Sequence, residues 1–366
     1  MSENTGSMVN TEAKAETLHD VKATKAVGYW LLAVFCFIGT MVLVGGLTRL
    51  TLSGLSMVDW RPATGWLPPL TDAEWQAAFA AYRDKANFQF ETVFGGQLSM
   101  AGFKEIFFWE YFHRLLGRML GLFFFIPWLY FTVRRRMSKR WVGLTFIALC
   151  LGGLQGAIGW WMVKSGLTNM PHVSHYRLSV HLSMALFCAM YVLWLALSIL
   201  RPRESRAHTL RKYLVGFLAL VVIQIVFGAF MAGTKAGYLY QTFPLMNGEF
   251  FPTWDPQLTP AALNITENLS VLQFVHRTLG WCVLAGGLAL GLLGYVKSDD
   301  RGQGRFALWV GFISVVQFGL GVFLVILPGI PVSIGSIHQM GAFFLLSATV
   351  ATVYSLGGPE RSSQRV

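Results

Sequence analysis

Apolar runs of about twenty residues recur along the chain and are separated by polar stretches. A run of this length crosses the hydrocarbon core of a bilayer as a helix, because lipid offers no partner for free backbone groups. Eight runs are predicted as membrane spans, at 27–47, 112–133, 141–163, 177–199, 212–232, 275–296, 306–327 and 334–356. The predicted fold class is therefore an all-α integral membrane protein with eight transmembrane helices.

The spans fall into two halves, which we predict to be two pseudo-symmetric four-helix bundles. The first half covers 27–200 and includes a long external loop, 48–110, whereas the second half covers 201–356. Residues 1–26 are polar and mix acidic with basic side chains, which predicts a disordered cytoplasmic tail rather than a signal peptide. Residues 357–366 are predicted to form a second cytoplasmic tail.

One segment of the long external loop carries the signature of a helix start. Thr71 and Glu74 have the spacing of a capping box, in which each side chain satisfies a backbone donor of the other residue. Trp75, Phe79 and Tyr82 follow at helical spacing. The pattern predicts a short amphipathic helix that lies on the outer membrane surface.

Charge is scarce and unevenly placed. Of all residues 54% are hydrophobic and 13% charged, whereas a soluble domain carries about a quarter charged residues. The net charge of +11 does not indicate nucleic-acid binding, because the basic residues concentrate in alternate loops. The positive-inside rule makes these loops and both termini cytoplasmic. The loops contain Arg134, Arg135, Arg136, Lys139 and Arg140, then Arg201, Arg203, Arg206, Arg211 and Lys212, and finally Lys297, Arg301 and Arg305.

A histidine-centred phrase occurs once in each half. Segments 109–118 and 272–281 each contain a histidine that is followed by an arginine and, four residues after the histidine, by a glycine. These histidines are His113 and His276, and two more, His181 and His338, begin apolar runs two spans later in each half. In the predicted topology all four lie at the external end of an inward-running helix. This repetition predicts a duplicated bundle with one histidine pair per half.

The histidine pairs suggest axial ligation of haem iron. Imidazole is costly inside lipid, and two axial pairs would explain four of them at matched positions. Small residues one turn further along each helix would leave room for a flat macrocycle: Gly117, Ala185, Gly280 and Gly341. The alternative is a hydrogen-bonded core histidine beside a helix-packing glycine.

The neighbours of the histidines differ between the halves. Arg114 and Arg277 could pair with haem propionates or, alternatively, with phospholipid head groups. Glu110 precedes His113 by three residues, whereas the neutral Gln273 precedes His276 at the same spacing. A carboxylate beside a buried redox centre is a functional candidate. The alternative is an interfacial glutamate that pairs with Arg114 or Arg118.

Several segments resemble the motifs of the haem A synthase family. They are 103–114, 159–167, 173–182, 273–277 and 337–339, and the resemblance extends from about residue 28 to 356. The chain is most similar to the proteobacterial and mitochondrial branch, because the loop cysteine pair of the Bacillus branch is absent. The cysteines lie in apolar runs, which favours a packing role: Cys36, Cys150, Cys188 and Cys282.

The resemblance implies an activity and a set of roles. Family members oxidise the C8 methyl group of haem O to a formyl group by successive hydroxylations, which gives haem A for cytochrome oxidase. By the same resemblance, His276 and His338 would ligate the iron of a resident haem b, with Arg277 beside it. His113 and His181 would hold the substrate haem.

In this scheme Glu110 would act near the reacting methyl group and Arg114 would help to bind the substrate. The implied location is the bacterial inner membrane, with the haem sites near the periplasmic side. The implied partners are haem O, an electron acceptor whose identity stays open, and the haem O synthase, a protohaem farnesyltransferase. No nucleic-acid partner is predicted, and a homo-oligomer is left open.

Two other protein classes are compatible with the residues alone. A bis-histidine electron-transfer cytochrome would leave both haems chemically unchanged, so pigment extraction after reaction distinguishes it from an enzyme. A transporter built from parallel repeats would place ionisable residues near the middle of the bilayer. The four histidines are instead predicted near one face.

Overall fold

The computed structural model describes residues 5–59, 64–167, 172–201, 209–297 and 301–357, with residues 5–24 described by their backbone alone. Among these residues, eight helices are long and apolar enough to cross a membrane, as predicted, and no strand is present. They are α1 (Thr5–Leu50), α4 (Met100–Val133), α5 (Lys139–Lys164), α6 (His175–Leu200), α7 (Arg211–Thr234), α9 (Leu269–Lys297), α10 (Arg301–Ile326) and α11 (Val332–Ser355). Three shorter helices lie in the connections: α2 (Asp72–Lys85), α3 (Asn87–Phe94) and α8 (Asn264–Glu267).

The first helix is longer than predicted. α1 begins at Thr5, so the predicted disordered tail 1–26 is helical from Thr5 onward, and residues 1–4 lie outside the described part of the chain. Alanine, glutamate and lysine dominate residues 11–25 and are strong helix formers, and extending an existing helix is easier than nucleating one. The apolar span itself is Lys25–Leu50. The predicted tail 357–366 lies outside the described residues except for its first residue.

The second membrane helix also begins earlier than the predicted span. α4 begins at Met100, where the Ser99 side chain accepts a hydrogen bond from the backbone N–H of Gly102. Its first turns bury Phe103 and Phe107 against protein rather than against lipid. Because Lys104 and Glu105 interrupt the apolar run at this point, a pattern of lipid-spanning length does not include these turns.

The predicted capping box and amphipathic helix are confirmed in α2. The backbone N–H of Glu74 donates to Thr71 Oγ1 at 3.3 Å, and the backbone N–H of Thr71 donates to the Glu74 carboxylate at 3.0 Å. The aromatic face of α2 packs on α4, with the rings of Phe79 and Phe103 stacked 4.9 Å apart. This face is thus covered by the first turns of α4, and the position of α2 on the outer membrane surface stays a prediction.

Neighbouring helices follow the same order in both halves. In the first half α1 packs against α4 and α6, and α5 packs against α6. In the second half α7 packs against α9 and α11, and α10 packs against α11. The halves meet where α6 packs on α7 and α1 packs on α11, and there Gln339 Nε2 donates to the carbonyl oxygen of Val42 at 2.6 Å. A pseudo-symmetry axis between the halves stays a prediction.

Candidate functional site

Each of the four predicted histidines packs against a glycine of a neighbouring helix. Non-bonded carbon atoms prefer a separation of about 3.5–4.0 Å, and a Cβ atom added at any of these glycines would lie closer than that to the ring. The pairs, with the distance from that Cβ to the imidazole Cε1, are Gly45 and His113 (3.0 Å), Gly159 and His181 (2.9 Å), Gly228 and His276 (3.1 Å), and Gly321 and His338 (3.1 Å). Glycine therefore sets the position that each imidazole can take.

The histidines form two pairs, one in each half, as predicted. His113 lies within electrostatic range of His181, and His276 lies within range of His338. The Nδ1 atoms of His113, His276 and His338 are buried and have no hydrogen-bond partner among the described residues. A buried nitrogen without a partner costs stability unless a ligand or water satisfies it. The donor set therefore fits an iron macrocycle between each pair.

Three glutamines accompany the histidines. Gln155 Nε2 lies 3.1 Å from His181 Nδ1 and donates to the His181 carbonyl at 3.0 Å. Gln317 Nε2 donates to the His338 carbonyl at 2.9 Å. Each glutamine precedes, by four residues, the glycine that contacts the same histidine. Glutamine and glycine therefore share one face of their helix. On that face the glutamine amide binds the backbone of the histidine, and the glycine contacts its ring.

The residues four positions before the other two histidine-contacting glycines, Gly228 and Gly45, differ from each other. Gln224 precedes Gly228 by four residues, and its Nε2 lies 3.5 Å from His276 Nε2. The equivalent position before Gly45 is Met41, which cannot offer an amide. The sequence-based prediction did not include these glutamines, Met41 or the contacts of Gly45 and Gly228. A repeated glutamine four residues before a glycine was the signal that could have revealed them.

Glu110 lies one turn before His113 on α4 and is almost fully buried. Its Oε1 forms an ion pair with Arg114, one turn further along α4. Its Oε2 accepts hydrogen bonds of 2.7 Å from the Ser56 hydroxyl and of 2.7 Å from the Met57 backbone N–H. The alternative of an ion pair with Arg114 is therefore what the structure contains. A buried carboxylate held in this way is compensated by charge and by hydrogen bonds.

In the second half, Gln273 and Arg277 occupy the positions of Glu110 and Arg114, and they bind a loop through an amide and a guanidinium group. Gln273 Nε2 donates to the Tyr240 carbonyl at 2.8 Å, and Arg277 donates to the carbonyls of Tyr240 and Thr242, each at 2.8 Å. Arg114 similarly donates to the Met57 carbonyl at 2.7 Å. Both arginines thus fasten the loop that follows the preceding span. Contacts of Arg114 and Arg277 with haem propionates stay a prediction.

A group of basic side chains lies where the two halves meet, at the C-terminal ends of α1 and α7. Arg49 at the end of α1 donates to the carbonyl of Ala232 in α7. Burial, followed by the nearby charges of Lys235 and Arg49, lowers the pKa of His172 to about 4. Burial and Arg49 also lower the pKa of Lys235. Acidification would therefore add a positive charge to a site that is already positive.

Comparison with known proteins covers nearly the whole chain. The family model COX15-CtaA, described as cytochrome oxidase assembly protein, matches residues 28–350. A protein named heme A synthase from Flavobacterium johnsoniae is 40% identical over 339 residues, which is 92% of this chain and 99% of the relative. Proteins of the same name from Parvibaculum lavamentivorans and Nitrosospira multiformis are 39% and 40% identical over 332 and 336 residues. These alignments cover 90% and 89% of this chain and 94% and 92% of the two relatives.

Proposed function

The chain belongs to the COX15-CtaA family of cytochrome oxidase assembly proteins, and we propose that it is an oxidoreductase that converts haem O to haem A. The conversion oxidises the C8 methyl group of the substrate to a formyl group. Two successive hydroxylations of this carbon, each adding one oxygen at the oxidation level of water and releasing two electrons and two protons, give a geminal diol. The diol loses water to leave the formyl group, and the four electrons leave to an acceptor. The observation that carries this proposal is the inequality of the two sites: each contains two half-buried histidines, but the buried Glu110 of the first half has the neutral, buried Gln273 as its counterpart in the second.

We assign the resident cofactor to the second half. His276 and His338 would hold haem b through neutral imidazoles, which supplies one-electron redox chemistry when bound. Gly228 and Gly321 keep both rings in place, and Gln317 fixes the backbone at His338. Gln273 stands at the position that corresponds to Glu110, and its neutral amide is not suited to take a proton from a bound porphyrin. This half suits a retained electron carrier.

We assign the substrate haem to the first half, between His113 and His181. Gly45 and Gly159 position the two rings, and Gln155 contacts the His181 ring directly. The loop after α1, fastened by Glu110 and Arg114, covers the outer end of this site. Burial under the loop limits access of water, which strengthens electrostatic interactions inside the site.

Glu110 is the residue that we propose to take part in the chemistry. Each carboxylate oxygen can accept about two hydrogen bonds. Oε2 already accepts two, from Ser56 and Met57, whereas among the described residues Oε1 accepts a hydrogen bond from Arg114 only. Oε1 is therefore the atom with remaining capacity to receive a proton from the substrate or to stabilise positive charge that develops beside it.

The setting that we propose is the bacterial inner membrane, with both termini cytoplasmic and the two sites near the periplasmic face. Basic residues at the ends of α4 and α7 support this orientation, because Arg134, Arg135 and Arg136 follow α4 and Arg211 and Lys212 begin α7. The substrate is itself made in the membrane. A farnesyltransferase that supplies haem O is therefore the partner that this activity requires.

Haem analysis tests the proposed function. Membranes of a host that makes haem O but lacks this activity are supplied with the chain, and their haems are extracted and separated. We expect haem A to form with the parent chain and not with a His113→Ala variant. Recovery of unchanged haem O with the parent chain present and folded would contradict the proposal and favour an electron-transfer cytochrome.

A further inference from the structure

The two halves differ in how closely their outer helices approach each other. In the second half α9 and α10 meet through small residues, and a Cβ atom added at Gly291 would lie 3.0 Å from the Cα of Gly311. In the first half a Cβ atom added at Gly121 of α4, or at Gly153 or Gly156 of α5, would meet no atom within 4 Å. α4 and α5 are therefore separated where α9 and α10 are in contact.

The glycines on either side of this gap face each other. The rings of Trp128 on α4 and Phe146 on α5 lie 5.8 Å apart and bridge the two helices on the cytoplasmic side of the gap. Gly121 precedes Trp128 by seven residues, and Gly153 follows Phe146 by seven, so each glycine lies two turns away on the same helix face as the ring. The gap between α4 and α5 therefore begins about two helical turns from the contact between Trp128 and Phe146, on the side of that contact away from the cytoplasm.

The gap continues to the histidine pair of the first half. Gly117 and Gly121 follow His113 at intervals of four residues along α4. On α5, Gly156 lies three residues before Gly159, the glycine that contacts the His181 ring. Gly117 itself packs near Met41 of α1, so the open positions nearest the histidines are Gly121 on α4 and Gly156 on α5. The gap therefore lies about two helical turns from His113 and about one turn from the glycine that contacts His181.

One residue closes the equivalent path in the second half. The segments 155–159 and 317–321 correspond, since Gln155 and Gln317 make the same bond to a histidine carbonyl. The next residue is Gly156 in the first segment and Phe318 in the second. The Phe318 ring lies 4.5 Å from the ring of Trp281 on α9. Phe318 thus fills the space that stays open beside Gly156.

We propose that the gap between α4 and α5 is a lateral opening through which a membrane-dissolved, isoprenoid-tailed porphyrin reaches the His113–His181 pair, while Phe318 closes the second half. The inference rests on the proposed function, in which the first half exchanges its haem in every turnover and the second half retains its own. A tailed porphyrin partitions into lipid because of its apolar area. The rim of the gap suits such a molecule, since Leu122, Phe125 and Leu154 are exposed on α4 and α5.

Gly156→Phe tests the opening by giving the first half the residue of the second. Uptake of added haem O by the purified protein in lipid nanodiscs is followed by its absorbance, with the His113→Ala signal subtracted. We expect uptake to slow at least about tenfold, with final occupancy and the resident haem b spectrum unchanged. Ala157→Phe is the matched control, because Ala157 is exposed on the neighbouring position of α5, and we expect the parent rate.

Two further variants keep the test independent of how well Gly156→Phe folds. Gly121→Leu narrows the same gap from α4 and should also slow uptake. Phe318→Gly opens the second half, and loss of haem b to an excess of haem-scavenging globin should become at least about tenfold faster. Parent rates in all three variants would overturn the lateral opening, whereas failure of the parent protein to take up haem O would contradict the proposed function itself.

Discussion

Glu110 and Arg114 form an ion pair across one turn of α4, with only 4% and 12% of their side chains exposed. The equivalent residues in the second half, Gln273 and Arg277, form no such pair and bind loop carbonyls instead. Both halves use these two positions to fasten the loop that follows the first helix of the half, but at these positions only the first half carries a negative charge. This difference is the basis for assigning chemistry to one half and cofactor retention to the other.

Replacing Glu110 with glutamine should reduce haem A formation by about 100-fold, because glutamine keeps the size of the side chain and one acceptor oxygen but cannot take a proton. Haem O or a hydroxylated product should accumulate while haem b is retained. The measurement is product analysis with bound substrate haem determined in the same samples. Normal haem A production would show that the carboxylate is only a loop fastener.

The ion pair makes a second variant necessary. Glu110→Gln removes the negative charge that compensates Arg114 at this buried position, and breaking a buried pair costs about 3–5 kcal/mol of stability. Glu110→Gln combined with Arg114→Gln removes both charges and should recover part of that stability without recovering activity. Restored haem A formation in the double variant would contradict a role for Glu110 in the chemistry. Gln273→Glu, at the equivalent position of the second half, is the control.

Adding one methyl group at Gly159 should weaken binding of the substrate haem by about tenfold to 100-fold, since an overpacked contact costs about 1–3 kcal/mol. The Gly159→Ala methyl would lie 2.9 Å from the Cε1 atom of His181. Gly321→Ala should instead alter the haem b absorption through His338. Gly152→Ala is the matched control, because a Cβ there meets no atom within 4 Å. Equal haem affinity in Gly159→Ala and Gly152→Ala would contradict the ring contact.

His172 should make the protein less stable in acid. Its pKa is 6.5 in the unfolded chain and about 4 in the folded protein, so between these values the unfolded chain binds more protons. The free energy of unfolding should therefore fall as the pH is lowered from 6.5 to 4, by about 1–2 kcal/mol after allowance for solvent screening. Thermal unfolding of the parent and of His172→Gln from pH 7.5 to 4 measures this difference. If the stability of the two proteins falls equally as the pH is lowered, the prediction is wrong.

The orientation in the membrane can be tested with reporter fusions. Fusions after Arg140, Lys212 and Arg305 should report the cytoplasm, because the basic loops stay inside. A fusion at Asp255, in the long loop between α7 and α9, should report the external side. A cytoplasmic signal at Asp255 would place the histidine pairs at the opposite face of the membrane.

The spans and the histidine pairs could be predicted from the sequence because lipid imposes a simple rule. Every crossing must be a helix of about twenty apolar residues. A histidine in such a helix stands out because ionisable residues are rare there. The start of α4 escaped this rule because its outer turns pack on α2 rather than on lipid. The helix before Lys25 escaped it because polar helix formers carry no apolar signal.

Contacts between helices could not be predicted in the same way. Gly45 and Gly228 resemble the many other small residues of membrane helices, and only the packing of α1 on α4 and of α7 on α9 shows which ring each one meets. The bond partners of Arg114 and Arg277 lie in loops that have no periodic pattern. The difference between Gly156 and Phe318 is visible in the sequence, but its meaning depends on the Trp281 ring across the helix pair.

The haem content of histidine variants tests the division of labour between the halves most directly. His113→Ala and His276→Ala are purified from membranes that contain haem O, and their haems are extracted and identified. We expect His113→Ala to keep haem b but to lack haem O and haem A, and His276→Ala to lose haem b. Loss of the same haems in both variants, or retention of haem b in His276→Ala, would contradict the assignment of one haem to each half.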